Sequence, residues 1–413
     1  MNKSQISNTE FMADGIKYVC SKYKNRSAGS ISEKNCQKYF KEILSSWADQ
    51  VDEEAFSLHP KAFKGSMVLS GLLNIVSAIL IWLSLTVNSI ILSIIGTAVI
   101  LFSVLLNITE SFFYRRIFDF LFPKATSINI MARRAPKGEI KRRIILGGHA
   151  DAAYEMTYVL HGQIKTVFPV LAGSSIGAAL VLLSSIALLI RYIVAGSVSM
   201  DGSWQLIGVI SVACIPFFLA AAFFINWNRI VDGANDNLSA CYVAMSVLKE
   251  MSEKNIRCES TEVCCLITGS EEAGLRGALN YAQRHRMELS NVETIFIALD
   301  TMHELDQLRV FTLGQNGTQK NSNAVGALLI KAGKNCGVEI RNSKLLFGAT
   351  DAEGFSRYGI RSCALCGVSL LPRLYYHTRF DTWDNINKDC LQLSHEICME
   401  TIRLYDREGI KTF

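Results

Sequence analysis

Polar and apolar positions are distributed very unevenly along this chain. Met67 to Leu85 and Ser89 to Ile108 are nearly charge-free runs separated only by Thr86-Val87-Asn88. Phe168 to Ile190 and Gln205 to Ile225 form a second such pair, joined by a short turn containing Asp201 and Gly202. Each run supplies roughly the 20 apolar residues that cross a hydrocarbon core of ~30 Å, which predicts four transmembrane helices in two hairpins. None of the runs carries an ionisable residue near its middle, so they read as anchors and not as a transport pathway. A signal peptide is not expected, because the 66 residues ahead of the first run are mostly polar.

The polar remainder falls into 1–65, 110–167 and 227–413, around hairpins at 66–109 and 168–226. Within it one pattern recurs: a short apolar run, then an acidic residue or histidine just past its end. Ile144-Ile145-Leu146 leads into Gly147-Gly148-His149-Ala150-Asp151, and Val263 to Thr268 leads into Gly269-Ser270-Glu271-Glu272. Thr294 to Leu299 leads straight into Asp300, and Cys363 to Leu371 precedes Tyr375-Tyr376-His377-Thr378-Arg379-Phe380-Asp381. Runs this apolar, set between helical stretches, predict an α/β fold with a mixed, largely parallel central sheet flanked by helices. In such sheets the functional site lies outside the carboxyl ends of the strands, where these residues would gather. Asp232-Gly233-Ala234-Asn235-Asp236-Asn237 reads as a tight loop that opens a helix from Leu238 and presents Asp236 to the same edge.

Composition narrows the picture. The 413 residues are 50% hydrophobic and only 19% charged, too apolar for a wholly soluble protein, while 21 Phe and 13 Tyr exclude disorder. A balance of 42 Lys+Arg against 37 Asp+Glu gives +5, too small to indicate a nucleic-acid partner. Lys61, Lys64, Arg115, Arg116, Lys124, Lys165 and Arg229 flank the runs on one side of the membrane. By the positive-inside bias, both termini and the middle segment are then cytoplasmic. The twelve cysteines read as free buried thiols in a reducing compartment, which agrees with that orientation.

Two histidines and three carboxylates at strand or loop ends, with a spare glutamate beside one of them, suit two borderline metal ions that share a bridging carboxylate. The motifs are similar to those of the di-zinc aminopeptidases of metallopeptidase family twenty-eight, which includes bacterial leucyl aminopeptidases, glutamate carboxypeptidase and related glutaminyl cyclases. The H-x-D of that family matches His149-Ala150-Asp151, its G-x-N-D-N loop matches Gly233 to Asn237, and its E-E pair matches Glu271-Glu272. The strand-terminal Asp matches Asp300, the late H-T-x-x-D-T matches His377 to Thr382, and the opening R-x-x-G-S resembles Arg26 to Ser30.

The resemblance implies a zinc-exopeptidase fold, two zinc ions and a short peptide substrate. His149 and Asp300 would hold one ion, Glu272 and His377 the other, and Asp236 would bridge them. Asp151 would fix the orientation of His149, Glu271 would be the general base for the attacking water, and Tyr376 would stabilise an oxyanion. It also implies a cis peptide between Asp236 and Asn237. One motif departs: the family's Ser-Asp-His is replaced by Thr350-Asp351-Ala352-Glu353, which puts the usual substrate-pocket shape in doubt. The hairpins depart too, since the second falls between Asp151 and Asp236. If the three polar segments build one domain, each insertion must cross the bilayer an even number of times. The expectation is therefore a membrane-anchored, cytoplasm-facing aminopeptidase whose site lies close to the bilayer. Its alternatives are a single-zinc aminoacyl cyclase and a catalytically silent scaffold of the same fold.

Overall fold

The computed structural model describes residues 7–410, which separate into two compact units. One unit comprises the chain up to Pro60, Pro123–Glu155 and everything from Asn228 onward; the other comprises Lys61–Phe122 and Met156–Trp227.

The first unit is organised by a nine-stranded sheet. Its strands are β1 Gln50–Leu58, β2 Ala125–Arg134, β3 Arg142–His149, β4 Thr261–Thr268, β5 Glu293–Met302, β6 Leu308–Gly314, β7 Gln319–Lys320, β8 Arg341–Lys344 and β9 Arg361–Gly367. They run in the order β1-β2-β4-β3-β5-β9-β6-β8, with β7 beside β6. The four central strands β4, β3, β5 and β9 are mutually parallel, whereas β1, β2 and β6 join antiparallel. Every residue of β4 is buried, as expected where helices cover both faces and leave no polar alternation. Ile144 and Leu146 face a core formed with helices that include Asn8–Lys22, Ile31–Leu44, Ser239–Glu253 and Lys388–Glu408. Ile145 and Phe296 face the opposite core, under Arg276–Arg284 and Asp351–Ser356. The predicted α/β class with a mixed, largely parallel centre is therefore the one observed.

Strand direction fixes the edge at which the chain leaves and re-enters this unit. Leu58 at the end of β1 pairs with Ala125 at the start of β2, and β2 runs antiparallel to β4. Pro60 and Pro123 therefore lie at the edge where β3, β4, β5 and β9 have their carboxyl ends. Glu155 and Asn228 bound the second interruption. Glu155 follows the end of β3 by six residues, and Arg379, two residues beyond His377, hydrogen-bonds its carboxylate. Both interruptions of this unit thus begin and end at one edge of the sheet.

One strand is shorter than its hydrophobicity predicts. The apolar run from Cys363 to Leu371 stays in the sheet only to Gly367, whose carbonyl accepts the backbone N–H groups of His303 and Glu304. That capture ends the ladder, and Leu370 and Leu371 project as an exposed loop.

The second unit holds four helices long and apolar enough to cross a membrane: Ala62–Thr86, Ile90–Phe112, Ile164–Ala195 and Gly202–Ala222. The first three outrun the hydrophobic runs because they take in polar residues of their flanks, such as Lys64 and Glu110. Starting three residues before its run, the last ends three short of it, since Ile225 already belongs to an extended segment. The fourth is interrupted at Cys214, ahead of Pro216, whose ring supplies no backbone donor. Burial in this unit is inverted relative to a water-soluble bundle. Ser70, Asn74, Ser77, Ser84, Ser93, Thr97 and Ser103 are buried, while Leu72, Ile79, Leu83, Ile91, Ile94 and Leu101 are exposed. Ser103 donates to Asn74 Oδ1 at 2.6 Å, Ser77 to the Gly96 carbonyl at 2.8 Å and Tyr192 to the Ser84 carbonyl at 2.6 Å. Small and polar residues between helices, with apolar side chains outward, are what lipid as solvent selects.

Close approach around the turn after β4 gives a direct test. A Cβ on Gly277 would lie 2.3 Å from the Gly269 carbonyl oxygen and 2.8 Å from its nitrogen, both backbone atoms. Gly277→Ala should therefore destabilise the protein by at least ~1–3 kcal/mol, the usual cost of overpacking. Thermal unfolding in detergent should show a lowered midpoint, and an unchanged midpoint would mean that this turn can shift freely.

Candidate metal centre

The carboxyl ends of the central strands bring the predicted residues together. His149 ends β3, and β4 turns through Gly269 and Ser270, the latter at φ 58°, into Glu271 and Glu272. Asp300 lies near the end of β5, and the chain after β9 returns through Tyr376 to His377. Asp236 reaches the same place from the loop ahead of the helix Ser239–Glu253, and its peptide bond to Asn237 is cis.

Asp236 stands between two sets of donors. Its Oδ1 lies 3.2 Å from His149 Nε2, and its Oδ2 lies 2.8 Å from His377 Nε2. His377 Nε2 is also 3.1 Å from Glu272 Oε1. The result is two groups, His149/Asp236/Asp300 and Asp236/Glu272/His377, with the donor atoms in each lying within 4.8 Å of one another. All are buried except the partly exposed Asp300. Glu271 takes no part in either group; its Oε2 lies 3.7 Å from His149 Nε2. The Tyr376 ring stacks on that of His377, with centroids 4.1 Å apart and planes 14° from parallel.

Buried side chains outside these groups fix the geometry. The Asp151 carboxylate accepts the backbone N–H of Glu271 and that of Glu272, each at 3.0 Å, one on each oxygen. His149 Nδ1 faces the Asp151 carbonyl at 3.2 Å and its carboxylate at 3.4 Å. Asp151 therefore steers both glutamates as well as the histidine. Asp381 accepts the backbone N–H of Asn235 at 2.7 Å and that of Asp236 at 3.1 Å, which holds the loop on which Asp236 sits. Asn237 spans β5 around Asp300, donating to the Leu299 carbonyl and accepting from Thr301 N–H.

Arg26 and Glu33 complete this framework. Fully buried, Arg26 donates to the carbonyls of Tyr23, Ala150, Asp232 and Gly233, so one guanidinium ties the His149 loop to the Asp236 loop. Glu33 accepts from Gly29 N–H, Ser127 Oγ, and both the N–H and Oγ of Ser270. Arg26 and Asp381 sit inside motifs that sequence reading quotes without giving them a role. Glu33 is misdirected by its sequence signal, because Ser30-x-x-Glu33 reads as a capping box. Ser30 does cap the Glu33 N–H, but the carboxylate turns to Ser127 and Ser270 across the fold.

Electrostatics follow from crowding these groups out of water. Burial, then repulsion from Asp236, raises the Asp300 carboxyl to about 8. Burial and the neighbouring carboxylates of Glu272, Asp351 and Asp300 raise Glu271 well above the usual carboxylate range, although His149 opposes them. Burial disfavours a charged His377, yet Glu272 and Asp236 outweigh it and raise the imidazole to about 9. For Asp236 burial pushes upward, but His149 and His377 prevail and lower it. Four carboxylates, those of Asp236, Glu271, Glu272 and Asp300, thus surround two imidazoles. Such a buried surplus is stable when cations neutralise it, and mixed imidazole and carboxylate donors suit borderline divalent metals. The residues present fit a pair of such ions with Asp236 shared.

Part of the chain and its fold are similar to known proteins. Residues 221–402 match the model of peptidase family M28. Among solved structures, the aminopeptidase from Aneurinibacillus sp. strain AM-1 is 15% identical with a TM-score of 0.57, covering 96% of this chain and 93% of that one. The zinc aminopeptidase of Bacillus subtilis is 13% identical with a TM-score of 0.56, covering 97% and 95%. The glutaminyl cyclase of Bacteroides thetaiotaomicron is 12% identical with a TM-score of 0.55, covering 95% and 97%. At such identities these structures share the fold. No curated protein sequence matches the chain.

The framework predicts that metal affinity depends on a residue that donates to neither group. Asp381→Ala should free the Asn235–Asp236 loop and weaken metal binding by roughly 10–100-fold, the range for residues that orient ligands. Competition against a chromophoric chelator measures it, and wild-type affinity would remove Asp381 from this role.

Proposed function

We propose, from the match of residues 221–402 to peptidase family M28 and the paired donor groups around Asp236, that this protein is a membrane-anchored di-zinc exopeptidase. It removes the N-terminal residue of short peptides, with the catalytic unit and both termini in the cytoplasm. The observation that carries this reading is Asp236 placed within hydrogen-bond reach of both His149 and His377, one on each carboxylate oxygen. That is the position a bridging ligand requires. Asp300 completes the set with His149, and Glu272 completes the set with His377.

When bound, the two ions would polarise the scissile carbonyl and acidify the attacking water. Glu271 lies beside the donor sets and belongs to neither, so its carboxylate can take the proton from that water and pass it to the leaving amine. Asp151 keeps this division of labour by anchoring both backbone amides of the Glu271–Glu272 pair. Adjacent side chains on one anchored turn can then serve different atoms. Burial and the surrounding carboxylates hold Tyr376 well above the usual phenol range. It therefore remains a neutral donor, which suits stabilising the oxyanion from its stacked position on His377.

The test is a panel of aminoacyl and peptide substrates on detergent-purified protein, with and without chelator. The expected outcome is hydrolysis of N-terminal residues that chelator abolishes and zinc restores. Cyclisation of N-terminal glutamine in place of hydrolysis would favour a cyclase, whose fold this chain also shares. Loaded protein inert in both assays would mark a silent scaffold. Within the hydrolase reading, Glu271→Gln should keep its metal yet lose at least ~100-fold in kcat, the low end of a general base's contribution. Glu272→Gln should weaken zinc binding, and Asp236→Ala should lose most of the metal by elemental analysis. A reversed pattern for the two glutamates would exchange their roles.

A further inference from the structure

The loop between β9 and His377 carries an apolar surface that the proposed chemistry does not use. Leu370, Leu371 and Leu374 are 50%, 56% and 40% exposed, and Phe380 just beyond His377 is 47% exposed. Arg373 and Arg379 are interspersed with them and exposed as well. The loop is not loose. Glu304, at the end of β5, accepts from the Ser369 N–H and the Tyr375 hydroxyl, and lies 3.5 Å from Arg373 Nε. Leucines held outward on an anchored loop cost solvation in water, so an occupant is called for.

Connectivity identifies the occupant. Arg379 pairs with Glu155 through two contacts, at 2.8 and 2.7 Å, and Glu155 is where the chain leaves this unit towards the second pair of long apolar helices. At the same sheet edge, only one residue separates Pro60 from the start of the helix Ala62–Thr86. Two residue steps reach at most ~7 Å even when fully extended. The chain thus leaves this edge directly for helices long and apolar enough to cross a membrane. Leucines with interspersed arginines match the boundary between acyl chains and anionic headgroups, which takes apolar side chains below and cations above.

We infer that the loop Ser369–Leu374, with Phe380, docks into the headgroup boundary of the bilayer, leucines inserted and the exposed Arg373 at anionic headgroups. The consequence reaches the site, because Tyr376 and His377 follow this loop directly. Lipid contact then fixes the rim of the cleft, and substrate that partitions into the interface arrives beside it. This inference rests on the membrane reading of the four helices, and its test separates the two.

The full-length protein is reconstituted into vesicles containing anionic lipid, either unbrominated or brominated on acyl carbons close to the headgroup. Tryptophan emission is compared for the parent, Leu371→Trp and Leu374→Trp, and for Met287→Trp. Met287 is 78% exposed just ahead of β5, at the opposite edge of the sheet. The emission that Trp82→Phe and Trp204→Phe remove reports the long helices themselves. The expected result is a blue-shifted, bromine-quenched signal from positions 371 and 374, quenched helix tryptophans, and an unquenched signal from 287. Quenched helix tryptophans with unquenched 371 and 374 would overturn the loop inference and leave the membrane reading standing. Unquenched helix tryptophans would overturn both. Quenching at 287 as strong as at 371 would show non-specific adsorption and overturn the assignment to this loop.

Discussion

A surplus of negative charge, gathered out of water at the carboxyl ends of four parallel strands, is the constraint on which the rest of the first unit depends. Asp236, Glu271, Glu272 and Asp300 crowd around His149 and His377, with Asp151 and Asp351 buried close by. No protein interior tolerates such a set unless the charges are neutralised or held by hydrogen bonds. The strand ends supply the proximity. What keeps the carboxylates from relaxing apart is a second layer of buried groups that bind backbone and not each other.

Arg26 and Glu33 exemplify that layer. Both are fully buried and both come from the segment before the first interruption, yet they act on loops more than a hundred residues downstream. Arg26 meets four carbonyls with one planar fork, a task that lysine, as a point donor, does not perform. Glu33 and Asp151 together grip Ser270, Glu271 and Glu272 by their amides. The turn after β4 is thereby fixed from two sides, which separates the directions of two adjacent glutamates.

The second unit follows a different burial pattern. Many of its polar side chains pair inward and many of its leucines and isoleucines face out, so serine, threonine and asparagine contacts and close glycine approaches join a small buried apolar cluster in holding its helices together. Gly71, for example, leaves room for the Phe218 carbonyl, which would lie 2.9 Å from a Cβ at that position. Both interruptions of the first unit open on the sheet edge that carries the donors.

Elements with strong local signals were readable from the chain alone. Four apolar runs of membrane length, four β-rich runs ending in acid or histidine, and the Gly233–Asn237 loop were legible because period, length and charge depletion are local properties. Those β-rich runs became the four parallel strands, and all five expected donors met, because each sits at a strand or loop end whose direction the topology fixes. Long-range contacts settled the rest. The run at Cys363–Leu371 broke at Gly367 because a distant turn, His303–Glu304, captured its carbonyl. The capping signal at Ser30 did not foretell that the Glu33 carboxylate would bind Ser270, since that partner lies 237 positions away. Nor did any local pattern mark Asp381 as the clamp on Asp236, a partner 145 residues distant. Hydrogen bonds between buried groups so far apart in sequence exist only once the sheet has closed, and so they leave no periodic trace in the chain.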